Sequence, residues 1–266
     1  MIRNEIKEIC QLHEILSKRN IKHDFKKDEQ DYCELIVEGK SNNPIFIIIQ
    51  NPSLYQLKSE HLLVFDKIKD KVMYLTVQEA LNKIFQAIHP IVTILLENLN
   101  SIQIELYPEL CPNSVNGFIE AIEYHAFDNM AIERVVPNFV IQPWCDETKK
   151  SEFYQHVCDL EVNPDDNFEA FSVGLAGDGN KIGVPSCFFI TVADAFHLNQ
   201  KFTKVGRVIS GFEELKRIES VELVDVPNDD GVAFKTPIND EIIETITLDL
   251  KDYQVKTCMK YLESSE

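Results

Sequence analysis

Three groups of side chains in this sequence could do chemistry. The first is Gly174-Leu175-Ala176-Gly177-Asp178-Gly179. Glycine-rich loops of this kind can wrap a phosphate with backbone N–H groups. This one lacks the Gly-Lys-Ser/Thr ending and any dinucleotide-binding context, so it reads as a strand and a turn. The second group is Cys145, His156, Cys158 and Cys187. Their spacing fits no zinc pattern, so they read as separate thiols with no metal. The third is Arg134, beside Glu133 and eight residues before Gln142, in an apolar stretch holding Phe139 and Val140. A guanidinium stays charged and presents several N–H donors in a rigid fork. Taken alone, Arg134 is an ordinary strand arginine paired with Glu133 or another acid. Phe139, Phe189 and Leu198, taken alone, are ordinary core. Phe188 and Phe189 are strand neighbours and point to opposite faces, so one is core and the other can line a pocket.

The elements that must position these groups follow from periodicity. Ile2, Ile6, Ile9, Leu12 and Leu16 recur at helical spacing over residues 2–19. Asp31–Glu38 and Pro44–Gln50 flank a turn cluster and predict a hairpin. His61–Phe65 and Val72–Leu75 predict one or two further strands. Thr76 with Glu79 forms a capping-box signature that opens a helix, and His89-Pro90 ends it. Residues 1–90 thus read as a small α-β-β-β-α domain of unassigned role. After Pro90 short strands dominate: Val92–Glu97, Ile102–Tyr107, Met130–Val136, Phe139–Pro143, Phe171–Leu175, Cys187–Val192, Lys204–Ile209 and Ile242–Leu250. Two helices, Asn113–Tyr124 and Gly211–Ser220, interrupt them. This pattern is mainly β, a sandwich or barrel over residues 91–250. Residues 251–266 read as a polar tail.

Composition bounds the partners. The chain has 266 residues, 44% apolar, with a net charge of −18. Residues 1–90 carry 13 basic and 13 acidic side chains, so the whole surplus lies beyond Pro90. Such a surface repels nucleic acid and anionic lipid, and no apolar run is long enough to span a membrane. The charged N-terminus carries no secretory signal, and seven irregularly spaced cysteines fit reduced thiols in a cytoplasm. The Lys-, Ile-, Asn- and Glu-rich style resembles a bacterial protein.

Four blocks resemble one family. Residues 102–118 are similar to the strand, turn and Ala-Pro-x-Thr-Val-x-Asn-Phe that open a cyclophilin. Glu133-Arg134-Val135-Val136-Pro137-Asn138-Phe139-Val140-Ile141-Gln142 resembles His-Arg-Val-Ile-Pro-Gly-Phe-Met-Ile-Gln. Ser186-Cys187-Phe188-Phe189-Ile190-Thr191 resembles Ser-Gln-Phe-Phe-Ile. Residues 195–200 with 205–211 resemble the bacterial Pro-His-Leu-Asp-Gly block and the Phe-Gly-x-Val-x-x-Gly that follows. The blocks occur in family order over about 160 residues. The resemblance implies a closed eight-stranded antiparallel barrel with two capping helices. It implies a peptidyl-prolyl cis-trans isomerase without cofactor, acting on proline-containing peptides or proteins.

That reaction needs no nucleophile. The barrier is amide resonance, roughly 18–20 kcal/mol. A catalyst holds the proline ring and favours the twisted state, whose nitrogen gains lone-pair character and accepts a hydrogen bond. The resemblance makes Arg134 the donor and has Gln142 hold either Arg134 or the substrate backbone. It puts the proline among Phe139, Val140, Phe189 and Leu198. Ala176 and Gly177 would line the backbone groove, and His197 and Phe202 would complete the rim. Three positions depart from the family: Glu133 for His, Leu175 for a backbone-binding Asn, and Cys187 for a peptide-contacting Gln. Reduced activity is therefore expected, and a non-catalytic proline-peptide binding module is the alternative.

Overall fold

The computed structural model describes residues 7–29, 32–39, 43–50, 62–143, 156–164, 166–226 and 234–262. Residues 2–6, where the first helix was expected to begin, Trp144, Cys145 and the last four residues lie outside the described residues. The chain divides into two units, Met1–His89 with Leu250–Gln254 and Pro90–Asp249 with Val255–Glu266.

The first unit contains α1 (Lys7–Lys18), β1 (His23–Lys27), β2 (Cys33–Glu38), β3 (Pro44–Gln50), β4 (Leu62–Asp66), β5 (Lys71–Leu75) and α2 (Val77–Ile88). The strands form an antiparallel meander in sequence order. Alternate residues of β2, β3 and β4 are buried, and they share one core with Ile9, Leu12 and Leu16 of α1 and with Ile84 and Ile88 of α2. Thr76 and Glu79 cap α2 reciprocally, satisfying backbone N–H groups at its start. Five strands replace the expected three or four. β1 escapes sequence reading because His-Asp-Phe-Lys-Lys holds one apolar residue, Phe25, and β1 is fixed by pairing with β2. β4 and β5 separate because the Asp66 carboxylate accepts from Ile68 N at 3.0 Å and Lys69 N at 2.9 Å, folding a tight turn.

The second unit contains β6 (Ile91–Leu96), β7 (Ser101–Leu106), α3 (Pro112–Glu123), β8 (Met130–Ala131), β9 (Arg134–Val136), β10 (Val140–Gln142), β11 (His156–Asp159), β12 (Ser172–Leu175), β13 (Ile182–Gly183), β14 (Phe188–Thr191), β15 (Lys204–Ser210), α4 (Phe212–Glu219), β16 (Leu223–Asp225), β17 (Lys235–Pro237), β18 (Ile242–Asp249) and β19 (Tyr261–Leu262). Nine strands form one curled sheet, ordered β8-β18-β6-β7-β15-β12-β14-β10-β9. The expected closed eight-stranded barrel is therefore a nine-stranded sheet with an opening. Its outermost strands, β8 and β9, are separated in the chain only by Ile132 and Glu133. The single strand expected over Met130–Val136 is broken there, so the chain itself joins the two edges.

The inner face carries Val92, Ile94, Leu96, Ile102, Ile104 and Leu106, all buried. Phe118 of α3 meets Phe127 and Phe188 edge-on, with centroids 5.6 and 5.4 Å away. Pro112 opens α3, where a missing N–H costs nothing. The Glu161 carboxylate accepts from Asn113 N at 3.2 Å and Ser114 N at 2.6 Å, supplying the cap that Cys111 does not.

The residues after Asp249 do not form one separate polar tail. Gln254 Nε2 donates to Gly39 O within the first unit. Residues 255–262 pack in the second: Asn113 exchanges two hydrogen bonds with Met259, and β19 pairs with β11.

Candidate active site

The site begins at the β9–β10 hairpin. Pro137 and Asn138 form its turn, with Asn138 at φ +58, a region asparagine tolerates better than most residues. Phe139 N donates to Val136 O at 3.0 Å, and the register sets Gln142 directly opposite Arg134. Side chains so paired lie on one face of the sheet. Arg134 Nη1 donates to Gln142 Oε1 at 3.0 Å, and Gln142 Nε2 donates to Cys187 Sγ at 3.6 Å. The guanidinium carbon lies 5.9 Å from the centre of the Phe139 ring. Partial burial lowers the Arg134 pKa from the ordinary arginine value, and the group stays charged at neutral pH.

Beside this cation lies an apolar floor. Val140, Phe168, Phe189, Ala195 and Leu198 are buried together, with Val136, Phe139 and Phe202 packed on them. Phe202 meets Phe189 edge-on at 5.7 Å, and Phe168 lies beside Phe189 at 5.7 Å. Gly174, opposite Phe189 across the β12–β14 ladder, leaves room for these rings. A short 3₁₀ turn, Phe196–Leu198, buries Leu198 and leaves His197 exposed, with its ring 5.0 Å from that of Phe139. The turn is held by Ala195 N donating to Phe168 O at 2.8 Å and by Phe168 N donating to Asn199 Oδ1 at 2.9 Å.

The structure thus brings together Arg134, Gln142, Cys187, Phe139, Val140, Phe189, His197, Leu198 and Phe202. Ala176 and Gly177 follow β12. Ala176 N donates to Cys187 O at 2.8 Å and its carbonyl accepts from Val184 N at 2.7 Å, so its backbone is engaged within the loop. Asp178 folds that loop by accepting from Asn180, Lys181 and Ile182, and these bonds lower its pKa. Leu175 stands at the position of the family's backbone-binding Asn. It is wholly buried opposite Phe188, with Gly183 against it, and is core rather than groove. Glu133 is partly buried in the gap between β8 and β9.

A separate shallow depression is lined by Leu110, Glu161, Asp166, Phe168, Phe202 and Lys204. It shares two phenylalanines with the apolar floor but does not include Arg134. Its one cation, Lys204, is bound to Asp166 at 2.6 Å.

The sequence model described as cyclophilin type peptidyl-prolyl cis-trans isomerase/CLD matches residues 91–245. The chain belongs to the cyclophilin family. Peptidyl-prolyl cis-trans isomerase B of Bacillus subtilis is 34% identical over 132 residues, covering 49% of this chain and 91% of that protein. Peptidyl-prolyl cis-trans isomerase 9 of Schizosaccharomyces pombe is 33% identical over 126 residues, 46% of this chain and 20% of that protein. The crystal structure of a Cryptosporidium parvum cyclophilin type peptidyl-prolyl cis-trans isomerase shares the fold. Its TM-score is 0.51 at 24% identity, covering 60% of this chain and 98% of that one.

Within the cyclophilin unit, sequence reading missed Phe168, Ala195 and Val136 as parts of the floor. Phe168 lies outside the four family blocks, so no motif marked it. Ala195 and Val136 were inside quoted blocks. Their role depends on the 3₁₀ turn folding over the β9–β10 hairpin, which no local spacing reveals.

Proposed function

We propose that this cyclophilin isomerises X-Pro bonds with the proline ring on the floor of Val140, Phe189 and Leu198 and with Arg134 donating to the prolyl nitrogen. The observation that carries the reading is a half-buried arginine, held by Gln142 at 3.0 Å, beside that apolar floor. As the amide twists, the nitrogen loses conjugation and becomes an acceptor. A donor already in place favours that state without reorganising. The apolar floor holds the ring while the flanking carbonyl turns toward solvent. A related Cryptosporidium parvum structure was determined in the presence of the dipeptide Ala-Pro, which supports proline-containing peptides as ligands.

Activity is reduced relative to the family because Glu133 and Cys187 replace its His and Gln. The acidic second unit favours peptides with basic flanks over nucleic acid or anionic membranes. None of the six described cysteines is disulfide-bonded, in keeping with residence in a reducing cytoplasm.

NMR exchange spectroscopy on an X-Pro peptide tests the reading. The wild type accelerates exchange, and Arg134→Ala lowers kcat by roughly 100–1,000-fold, the usual value of a positioned donor to developing charge. Catalysis unchanged in Arg134→Ala refutes it. Glu133→His is expected to raise kcat/KM several-fold; a lower value removes Glu133 as a cause of weakened activity. The second reading, a binding module without catalysis, is favoured by the substitutions at Glu133 and Cys187. It predicts peptide-dependent shifts at Phe189 and Leu198 without exchange acceleration.

A further inference from the structure

Cys187 stands where the family has a peptide-contacting glutamine, yet its sulfur faces into the protein, toward Gln142. The two ends of a glutamine amide have nearly the same shape but opposite hydrogen-bonding character. Arg134 can only donate, so it requires the oxygen end. An acceptor at the other end of the amide selects the same orientation, and that acceptor is Cys187 Sγ, 3.6 Å from Nε2. Gln142 is 6% exposed and Cys187 9%, so bulk water is largely shut out from taking the place of the sulfur. The sulfur is itself held in place: Cys187 N donates to Val184 O at 3.0 Å, and Cys187 O accepts from Ala176 N at 2.8 Å. The β10–β14 ladder sets Gln142 next to the start of β14, which brings the thiol within reach.

We infer that Cys187 is a positioning residue: its sulfur fixes the Gln142 amide so that the oxygen meets Arg134. The inference rests on the isomerase reading for its kinetic consequence, although the amide geometry can be read without turnover. The substitution therefore does more than remove a peptide contact. It makes a peptide-contacting position part of the arginine's support.

The experiment uses the full chain and an Ala-Ala-Pro-Phe peptide. Cys187→Val removes the acceptor and adds one methyl group, so Cys187→Ala, which removes the acceptor and adds none, is run beside it and should lose as much; Cys187→Ser keeps an acceptor. Cys187→Val is expected to lower kcat roughly threefold to tenfold, the range of one modest hydrogen bond, with KM little changed. Cys187→Ser is expected to recover most of the loss. In a Gln142→Ala background, Cys187→Val should add nothing, because the group it orients is gone. The Gln142 side-chain amide resonances are the second readout. They should move or broaden in Cys187→Val and return toward the wild-type position in Cys187→Ser. An unmoved Gln142 amide, or equal kcat losses in both backgrounds, overturns the inference. A wild type that fails to accelerate exchange while the amide responds as expected refutes the isomerase reading and leaves the positioning role standing.

Discussion

Gly174→Ala is the sharpest test of how the floor is built. A Cβ at this position would lie 2.4 Å from Phe189 Cζ and 2.8 Å from Phe168 Cε1. Ordinary contact begins near 3.4 Å, so a ring must retreat by about 1 Å. Neither ring has an easy retreat: Phe189 is 5% exposed, with Phe202 edge-on against it and Phe168 beside it. Overpacking of this kind costs roughly 1–3 kcal/mol. For a unit of this size that lowers Tm by about 3–10 °C. Because Phe189 forms the proline floor, the shift also misplaces the ring-binding surface. A 1 Å misplacement can cost up to roughly 100-fold in rate, so kcat/KM should fall by about 10–100-fold. Thermal unfolding and peptide exchange measure the two effects. Gly183→Ala is the internal control, since its Cβ would meet nothing closer than 3.8 Å. If Gly174→Ala keeps the wild-type Tm and kcat/KM, or if Gly183→Ala loses as much, the account of the floor is wrong.

Two further outcomes follow from groups outside the site. Burial alone would raise the Glu214 pKa, but hydrogen bonds from Arg217, Asn98 and Asn100 outweigh it and the pKa is lowered. A lowered carboxylate pKa contributes stability that is present above the unfolded value and lost as pH falls through the folded one. Glu214→Gln should therefore flatten the fall of Tm with acidification below about pH 5; an unchanged slope refutes this. Asn113 holds Met259 by two hydrogen bonds, 2.9 and 2.6 Å. Asn113→Ala should speed amide hydrogen exchange at Met259 and Lys260 and cost about 1 kcal/mol; unaltered exchange at Met259 would show that β19 alone holds the segment.

Arg134 and Gln142 were legible through the family block that holds both, and the structure supplies the physical reason, a local register. A Pro-Asn turn between two short apolar runs sets the two side chains on one face, whatever the rest of the chain does. The start of α2 was legible because Thr76 and Glu79 act within one turn. Family blocks likewise recorded Phe189 and Leu198, since each sits in a contiguous stretch. Contacts between distant stretches were not legible. Gln142 and Cys187 are 45 residues apart, and Glu161 caps α3 from 47 residues beyond Ser114. Such meetings depend on how the sheet curls and where loops close, and neighbouring residues do not encode that. β1 was hidden because an edge strand can be held by pairing alone, without a periodic apolar face. Leu175 was legible as a departure from the family's Asn, and the inward pleat of β12 shows where the leucine went instead, into the core. The sequence by itself determined the arginine, its glutamine and the local strands that bear them. The tertiary structure decided that the sheet stays open at Ile132 and Glu133, which rings make the floor, and that a buried thiol stands behind the glutamine.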